Sequence, residues 1–258
     1  MEALIEIAPD RRGGLAGLFA NHQRVRMVVE AILEGRFGVA LADSVEEPRL
    51  AQLRLMTMFH VFGGDAEHPL AREAVGSLQK GIVLLASDDW RELLFEIHGG
   101  RIMAQPRTAL SSAALDVERL RALARRVPPG FHVQRIDADM ARRMSGELED
   151  QVTLHAFRSP EDFAERGIGF ATLHGERVVC VATSFVVCSR GIEIQIVTHA
   201  DFRRRGLATA TSAALMAYCL EHDLEPEWDA DNPESLKLAQ KLGYSQPQPY
   251  EWLIVVPG

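Results

Sequence analysis

Ile192-Glu193-Ile194-Gln195-Ile196-Val197-Thr198, then His199-Ala200-Asp201, then Phe202-Arg203-Arg204-Arg205-Gly206-Leu207-Ala208-Thr209, is the stretch whose reading decides the fold. Its first seven residues are apolar and β-branched and read as a strand, which a short polar turn ends. From about Arg205 to His222 the chain is rich in Ala, Thr and Leu and reads as one long helix. Three arginines therefore stand at a helix start, where the macrodipole is already positive and Asp or Glu would be favoured. The unpaired N–H groups of the first turn point to the same place. Such a concentration of positive charge makes physical sense where an anion binds, phosphate above all. Gly206 removes the Cβ that would keep a ligand off the backbone. The competing account is a solvated basic cap. Neither G-x-x-x-x-G-K-[ST] nor a strand–helix G-x-G-x-x-G is present, so the loop is not one of those two cradles.

Working outward, Glu227-Trp228-Asp229-Ala230 reads as a strand, Asp231-Asn232-Pro233-Glu234-Ser235 as a helix start, and Leu236 to Gly243 as its body and end. Upstream, Gly169 to His174, Val178 to Cys188 and Ile192 to Thr198 are three strands with tight turns, which predicts an antiparallel meander. A strand at Phe131 to Ile136 and a helix from Asp137 to about Met144 precede them, and a strand at Tyr250 to Val256 closes the chain. The first half reads as α/β as well. A helix is expected over Gly14 to Leu33, a longer β-rich stretch over Leu50 to Phe62, and a strand at Gly81 to Ala86. Pro128-Pro129-Gly130 supplies the expected domain boundary, giving domains 1–128 and 129–258.

With those elements in place, Arg203-Arg204-Arg205-Gly206-Leu207-Ala208 resembles the acyl-CoA-binding pattern [QR]-x-x-G-x-[GA] of the GNAT N-acetyltransferase superfamily. The order of elements over about Phe131 to Val256 is similar to the whole GNAT fold. The run from Gly191 through Ala210 is similar to a two-domain bacterial branch that includes the zwittermicin A resistance acetyltransferase. Glu34-Gly35-Arg36, Glu47-Pro48 and Gly63-Gly64-Asp65 fit that branch more loosely. The resemblance implies an α/β (α+β) chain: a C-terminal GNAT fold with a mixed central sheet, preceded by a degenerate acetyltransferase-like α/β domain.

The resemblance also implies roles. The backbone of Ile196, Val197 and Thr198 is expected to pair with the pantetheine arm of acetyl-CoA like an added strand. The amides of Arg203, Arg204, Arg205, Gly206, Leu207 and Ala208 are expected to hold the pyrophosphate, with Thr209 beside them. Asn232 is expected to hydrogen-bond the pantetheine, with Ser235 next to it. Where many members place a tyrosine, seven residues after the Asn, this chain has Ala239, so the acid is Ser235, a water, or nothing. Glu193 is the candidate base, one residue out of the commoner family register, and competes with a surface carboxylate. Asp229 and Asp231 suit either a cationic substrate or, more simply, the cap of the following helix. The activity so implied is N-acetylation of a small-molecule amine by direct attack on acetyl-CoA. A non-catalytic acyl-CoA sensor and a protein-amine acetyltransferase are the alternatives.

Composition fits a globular protein: 47% apolar and 25% charged residues over 258 positions. The net charge of −8 argues against a nucleic-acid surface. The nine histidines show no paired ligand spacing, so no metal is expected, and His60, His98 and Asp88-Asp89 read as structural. Cys180, Cys188 and Cys219 read as buried reduced thiols. The start, Met1 to Glu6, has no basic n-region, and no run approaches a membrane span, so a cytoplasmic location is expected. A homodimer is compatible with all of this. No second [QR]-x-x-G-x-[GA] pattern follows a strand in the first half, so no second CoA site is expected there.

Overall fold

The structure, a computed structural model, describes residues 3–22, 24–85, 87–148 and 154–258. It comprises β1 (Ile5–Glu6), α1 (Arg26–Leu33), β2 (Val39–Ala42), β3 (Leu50–Leu55), β4 (Phe59–Gly64), α2 (Ala71–Gly76), β5 (Gly81–Leu85), α3 (Asp88–His98) and β6 (Ile102–Ser111). Then follow α4 (Val117–Ala124), β7 (Phe131–Arg135), α5 (Ala138–Glu147), α6 (Pro160–Arg166), β8 (Gly169–His174), β9 (Arg177–Val187) and β10 (Gly191–Thr198). The chain finishes with α7 (Leu207–Glu221), β11 (Glu225–Ala230), α8 (Pro233–Leu242) and β12 (Ser245–Val255). Two compact units result: Met1–Arg107 with Pro249–Gly258, and Thr108–Gln248.

In the first unit the strands lie in the order β1-β2-β3-β4-β5-β12, and in the second β7-β8-β9-β10-β11-β6. Neighbours are antiparallel except for one parallel pair in each unit, β4 with β5 and β10 with β11. Each parallel pair is joined through a helix, α2 or α7. One plan is thus used twice, which fits an acetyltransferase-like domain ahead of the motif-bearing one. In both units the last strand comes from the other half of the sequence. β6 starts in the first unit and ends beside β11, whereas β12 starts in the second and ends beside β5.

The expected boundary at Pro128 and the compact units differ. α4 packs on α7, so residues from Thr108 onward go with the second unit. One other expectation needs correction. Gly14 to Leu33 is not one helix: Pro9–Phe19 is 3-10 and α1 follows separately, because Gly13, Gly14 and Gly17 disfavour a continuous α-helix. The β-rich stretch Leu50 to Phe62 is a hairpin that turns where Met56 enters the left-handed region at φ 57. Local signals elsewhere hold. Asp137 accepts the Met140 N–H and Ser159 the Asp162 N–H, each capping the helix that follows. α7 is buried nearly all round, between the sheet and α4.

Burial of the first unit's core has a consequence for pH. His60 is buried, and desolvation, then the nearby Arg54 charge, push its pKa down to about 4. A histidine whose folded pKa is depressed binds fewer protons folded than unfolded between about 6.5 and 4, so stability is lost as pH falls through that window. The expected loss is about 1–2 kcal/mol, discounted for residual solvent screening. Urea denaturation at pH 7 and pH 4.5 measures it. A His60→Gln variant should lose less on acidification, and an equal loss in both proteins would remove His60 as the cause.

Candidate active site

β10 sits between two different neighbours. It pairs with β9 from Ile192↔Val187 to Thr198↔Cys180, and the register slips between Glu193 and Ile194, where two residues of β9 advance against one of β10. Its parallel ladder to β11 consists of Gly191↔Glu225, Ile192↔Pro226 and Glu193↔Glu227, and ends there. β11 turns to β6 instead, over Trp228, Asp229 and Ala230. The sheet therefore forks after Glu193. Beyond the fork, Ile194 to Thr198 are all half-buried, where a fully covered strand would be buried throughout. An edge of this kind offers main-chain groups to an added extended segment.

The turn at the open end of the fork is held by an aromatic anchor. Phe202 lies edge-on to Phe131 and against His174 and His199, with the Arg205 guanidinium over its ring. His199 is buried and its Nδ1 accepts the Asp201 N–H. Two of the three arginines face back into the loop: Arg203 Nε donates to Thr198 O and Arg205 Nη2 to Asp201 O, both at 3.1 Å. Arg204 is exposed and its backbone is left-handed, φ 60. Gly206 is left-handed too, at φ 82, and nothing lies within 4 Å of where its Cβ would stand. The first α7 ladder bond runs from Ala210 N–H to Gly206 O, so the helix does not consume the N–H groups of Leu207, Ala208 and Thr209. No acidic residue stands in that first turn. Lys241 Nζ donates to Thr209 Oγ1 at 3.2 Å, adding a cation beside it.

The two faces of the sheet carry different chemistry. Thr172 on β8 hydrogen-bonds Thr211 of α7, while Phe163 of α6 presses on Gly169, which is of opposite parity. Gly169 and Gln195 both pair with Thr183, so alternation puts Gln195 and Glu193 on the α6 side. Glu227, in register with Glu193, shares that face, and Asp229 follows two residues along. Glu193 and Glu227 thus stand side by side at the closed end of the fork, with Asp229 further along the same face of β11. Neighbouring Glu225 is bonded to Ser112 Oγ and Arg190 Nε instead. The Thr183 hydroxyl on this face is buried and has no hydrogen-bond partner among the described residues.

On the other face, Asn232 caps α8. Its Oδ1 accepts the Ser235 N–H at 2.8 Å and its Nδ2 donates to Asp231 Oδ1 at 2.7 Å. The expectation that Asp229 or Asp231 caps this helix is corrected: Asn232 does so, because only its β-region backbone precedes Pro233 directly. Ser235 Oγ accepts from Trp228 Nε1 at 3.1 Å. Indole N–H only donates, so the Ser235 proton is directed elsewhere. Trp228 is itself fixed edge-on to Tyr244, whose hydroxyl donates to Pro226 O. Burial raises the Tyr244 pKa well above the usual value, and nearby carboxylates add to this. Ala239 is fully buried.

A family model described as GNAT acetyltransferase matches residues 16–253. The chain belongs to the GNAT acetyltransferase family. Among its relatives is an uncharacterized N-acetyltransferase, YdfB, of Bacillus subtilis (strain 168), 31% identical over 174 residues, or 67% of this chain and 65% of that one. The matched stretch is thus just under two thirds of that relative's length. Among solved structures, a GCN5-related N-acetyltransferase-like protein from Streptococcus suis 89/1591 superposes with TM-score 0.80 at 28% identity, over 95% of this chain and 98% of the other. A tandem GNAT protein from the clavulanic acid biosynthesis pathway shares the fold over 99% of both chains, with TM-score 0.59 and 14% identity. For a GNAT chain, the fork, the glycine turn and the first turn of α7 fall in one unit, as do Glu193, Asn232 and Ser235. One residue of this region went unread in the sequence, Glu227, legible only as the alternation Glu225-x-Glu227-x-Asp229, and no local pattern announces the bond of Trp228 to Ser235. Cys180, Cys188 and Cys219 are buried, and burial pushes the Cys219 thiol up to about 12. Among the described residues no helix is long and apolar enough to cross a membrane.

Proposed function

We propose that this GNAT protein transfers an acetyl group from acetyl-CoA directly to the amine of a small cationic molecule. The observation that carries the reading is the fork between β10 and β11, closed by Glu193 and Glu227 and open toward the first turn of α7. A pyrophosphate on the N–H groups around Gly206 to Thr209 starts the pantetheine arm at the Thr198 end of the fork. From Thr198 to Glu193 the strand covers roughly 16 Å at about 3.3 Å per residue, and the arm, lying along Ile196 to Thr198, brings its thioester toward the closed end. The acceptor enters on the carboxylate face, where Glu227 and Asp229 attract its charge. Glu193 takes a proton from the bound ammonium, directly or through a water, and the neutral amine so formed attacks the thioester carbonyl. The new C–N bond forms as the C–S bond breaks, and the Ser235 hydroxyl hydrogen-bonds the departing thiolate.

The first unit, on this reading, is a degenerate copy without a CoA site. Its β4–β5 ladder runs through Phe59↔Ile82 to Phe62↔Leu85, and α2 is preceded by Asp65 and Glu67 where α7 has arginines. The full-length likeness to a tandem GNAT protein supports the duplication. A cytoplasmic location belongs to the same reading. A second reading, an acyl-CoA sensor, is favoured by Ala239 alone. One assay separates them: purified chain, acetyl-CoA and a panel of diamines, amino sugars, amino acid amides and lysine peptides, followed by release of free thiol. Turnover of a small cationic amine is expected. CoA binding without thiol release from any amine would leave the sensor, and turnover of peptides alone would make it a protein-amine enzyme.

A further inference from the structure

The first unit repeats the plan of the second but not its long helix. α2 has 6 residues where α7 has 15, about 9 Å of axis against about 22 Å. Leu41 and Gln52 are register partners, and Arg54 lies two residues further along β3, so the three share one face. With Leu70, Glu73 and Ala74 they line a cavity of about 130 Å³.

Two of these lining residues carry opposite charges. Arg54 is half-buried, and its guanidinium has no hydrogen-bond acceptor among the described residues. Glu73 borders the same cavity, and neither residue has an ion-pair partner among the described residues. The neighbouring imidazole does not compete. His60 faces Arg54 across the hairpin, is neutral at pH 7, and is hydrogen-bonded through Nδ1 to Gln52. Leu4, Leu41, Leu70 and Ala74 give the cavity apolar walls, and Gln52 and Ser77 add polar ones whose side chains are bonded to His60 and to Ala74 O.

We propose that this cavity binds a small zwitterion of the α-amino-acid class, its carboxylate on Arg54, its ammonium on Glu73 and its side chain against Leu41 and Leu70. The size agrees: a cavity of about 150 Å³ holds benzene, with about six heavy atoms, so alanine to valine is the matching range. The site lies within the first unit and does not depend on the acetyl-transfer reading of the second.

Calorimetric titration of the full chain with glycine, alanine, serine, valine, glutamate and lysine in turn tests it. At least one is expected to bind, and acetate and methylamine, each carrying half of the zwitterion, to bind about tenfold more weakly or worse. Arg54→Gln and Glu73→Gln should each weaken the amino acid by about tenfold or more. Glu73 is exposed on a helix, so its variant keeps the fold whatever Arg54→Gln does. Glu193→Gln, in the other unit, should leave this binding unchanged. No binding by any of the amino acids, which would leave a water-filled cavity, overturns the proposal. So does binding that survives Glu73→Gln, acetate binding as tightly as the amino acid, or loss of binding in Glu193→Gln.

Discussion

Replacing Gly206 by valine is expected to raise the dissociation constant for CoA by about 100-fold or more, with the fold retained. Two effects add. Gly206 stands at φ 82, where a β-branched residue is strained by about 1–2 kcal/mol or more, so the turn shifts away from its geometry. The added side chain also occupies the empty space in front of the Leu207, Ala208 and Thr209 amides, and each charge-assisted hydrogen bond lost there is worth about 1.5–3 kcal/mol. Gly175 provides the control. It lies in a hairpin turn at φ 62, also with nothing within 4 Å of a Cβ, so Gly175→Val carries the strain without the ligand. Calorimetry on the three proteins should show one CoA per chain, bound tightly by wild type and Gly175→Val only. Wild-type affinity in Gly206→Val would move the phosphate site elsewhere, and a stoichiometry of two would give the first unit a site of its own.

The second large effect is expected at Glu193. Glu193→Gln removes the proposed proton acceptor while keeping its size, and should lower kcat about 10²–10⁴-fold at neutral pH. Acetyl-CoA affinity should hardly change, because the proposed cofactor contacts lie along Ile196 to Thr198 and the α7 turn. The acidic limb of the pH–rate profile should flatten with it. Glu227→Gln should behave differently, raising KM for a cationic acceptor more than it lowers kcat, since the partner in register supplies charge and not proton transfer. If both variants raise KM alone and leave the pH profile intact, Glu193 binds the acceptor and something else removes the proton.

The parts of this site that were legible are those written in consecutive residues. The strand, the glycine turn and the long helix follow one another from Ile192 to Glu221, and the Asn-Pro-x-Ser start of α8 carries its own cap. What was not legible depends on which strands meet. The face occupied by Glu193 is set by pairings to β9 and β11, and a ladder of three pairs leaves no periodicity to read. The inward turn of Arg203 and Arg205 follows from a left-handed backbone at Arg204, which sequence disfavours for a non-glycine residue. For the same reason the unit boundary was read at the proline pair, where local chemistry breaks the chain. The contacts of α4 with α7 lie far apart in sequence and override that signal.

The placement of β12 has a consequence for how the protein is made. Residues leave the ribosome in order, and a domain ordinarily folds once its last residue is out. Here β5 is complete at Leu85, but the strand that pairs with it contributes Leu253, Ile254 and Val255. At about 5–20 residues per second the edge of β5 waits roughly 8–30 s for its neighbour. Throughout that wait Val83 and Leu84 stand on an open sheet edge, the kind of surface on which nascent chains pair with one another. A substitution that breaks the pairing of Leu253, Ile254 and Val255 with β5 is therefore expected to leave that edge open for longer and to raise aggregation during synthesis.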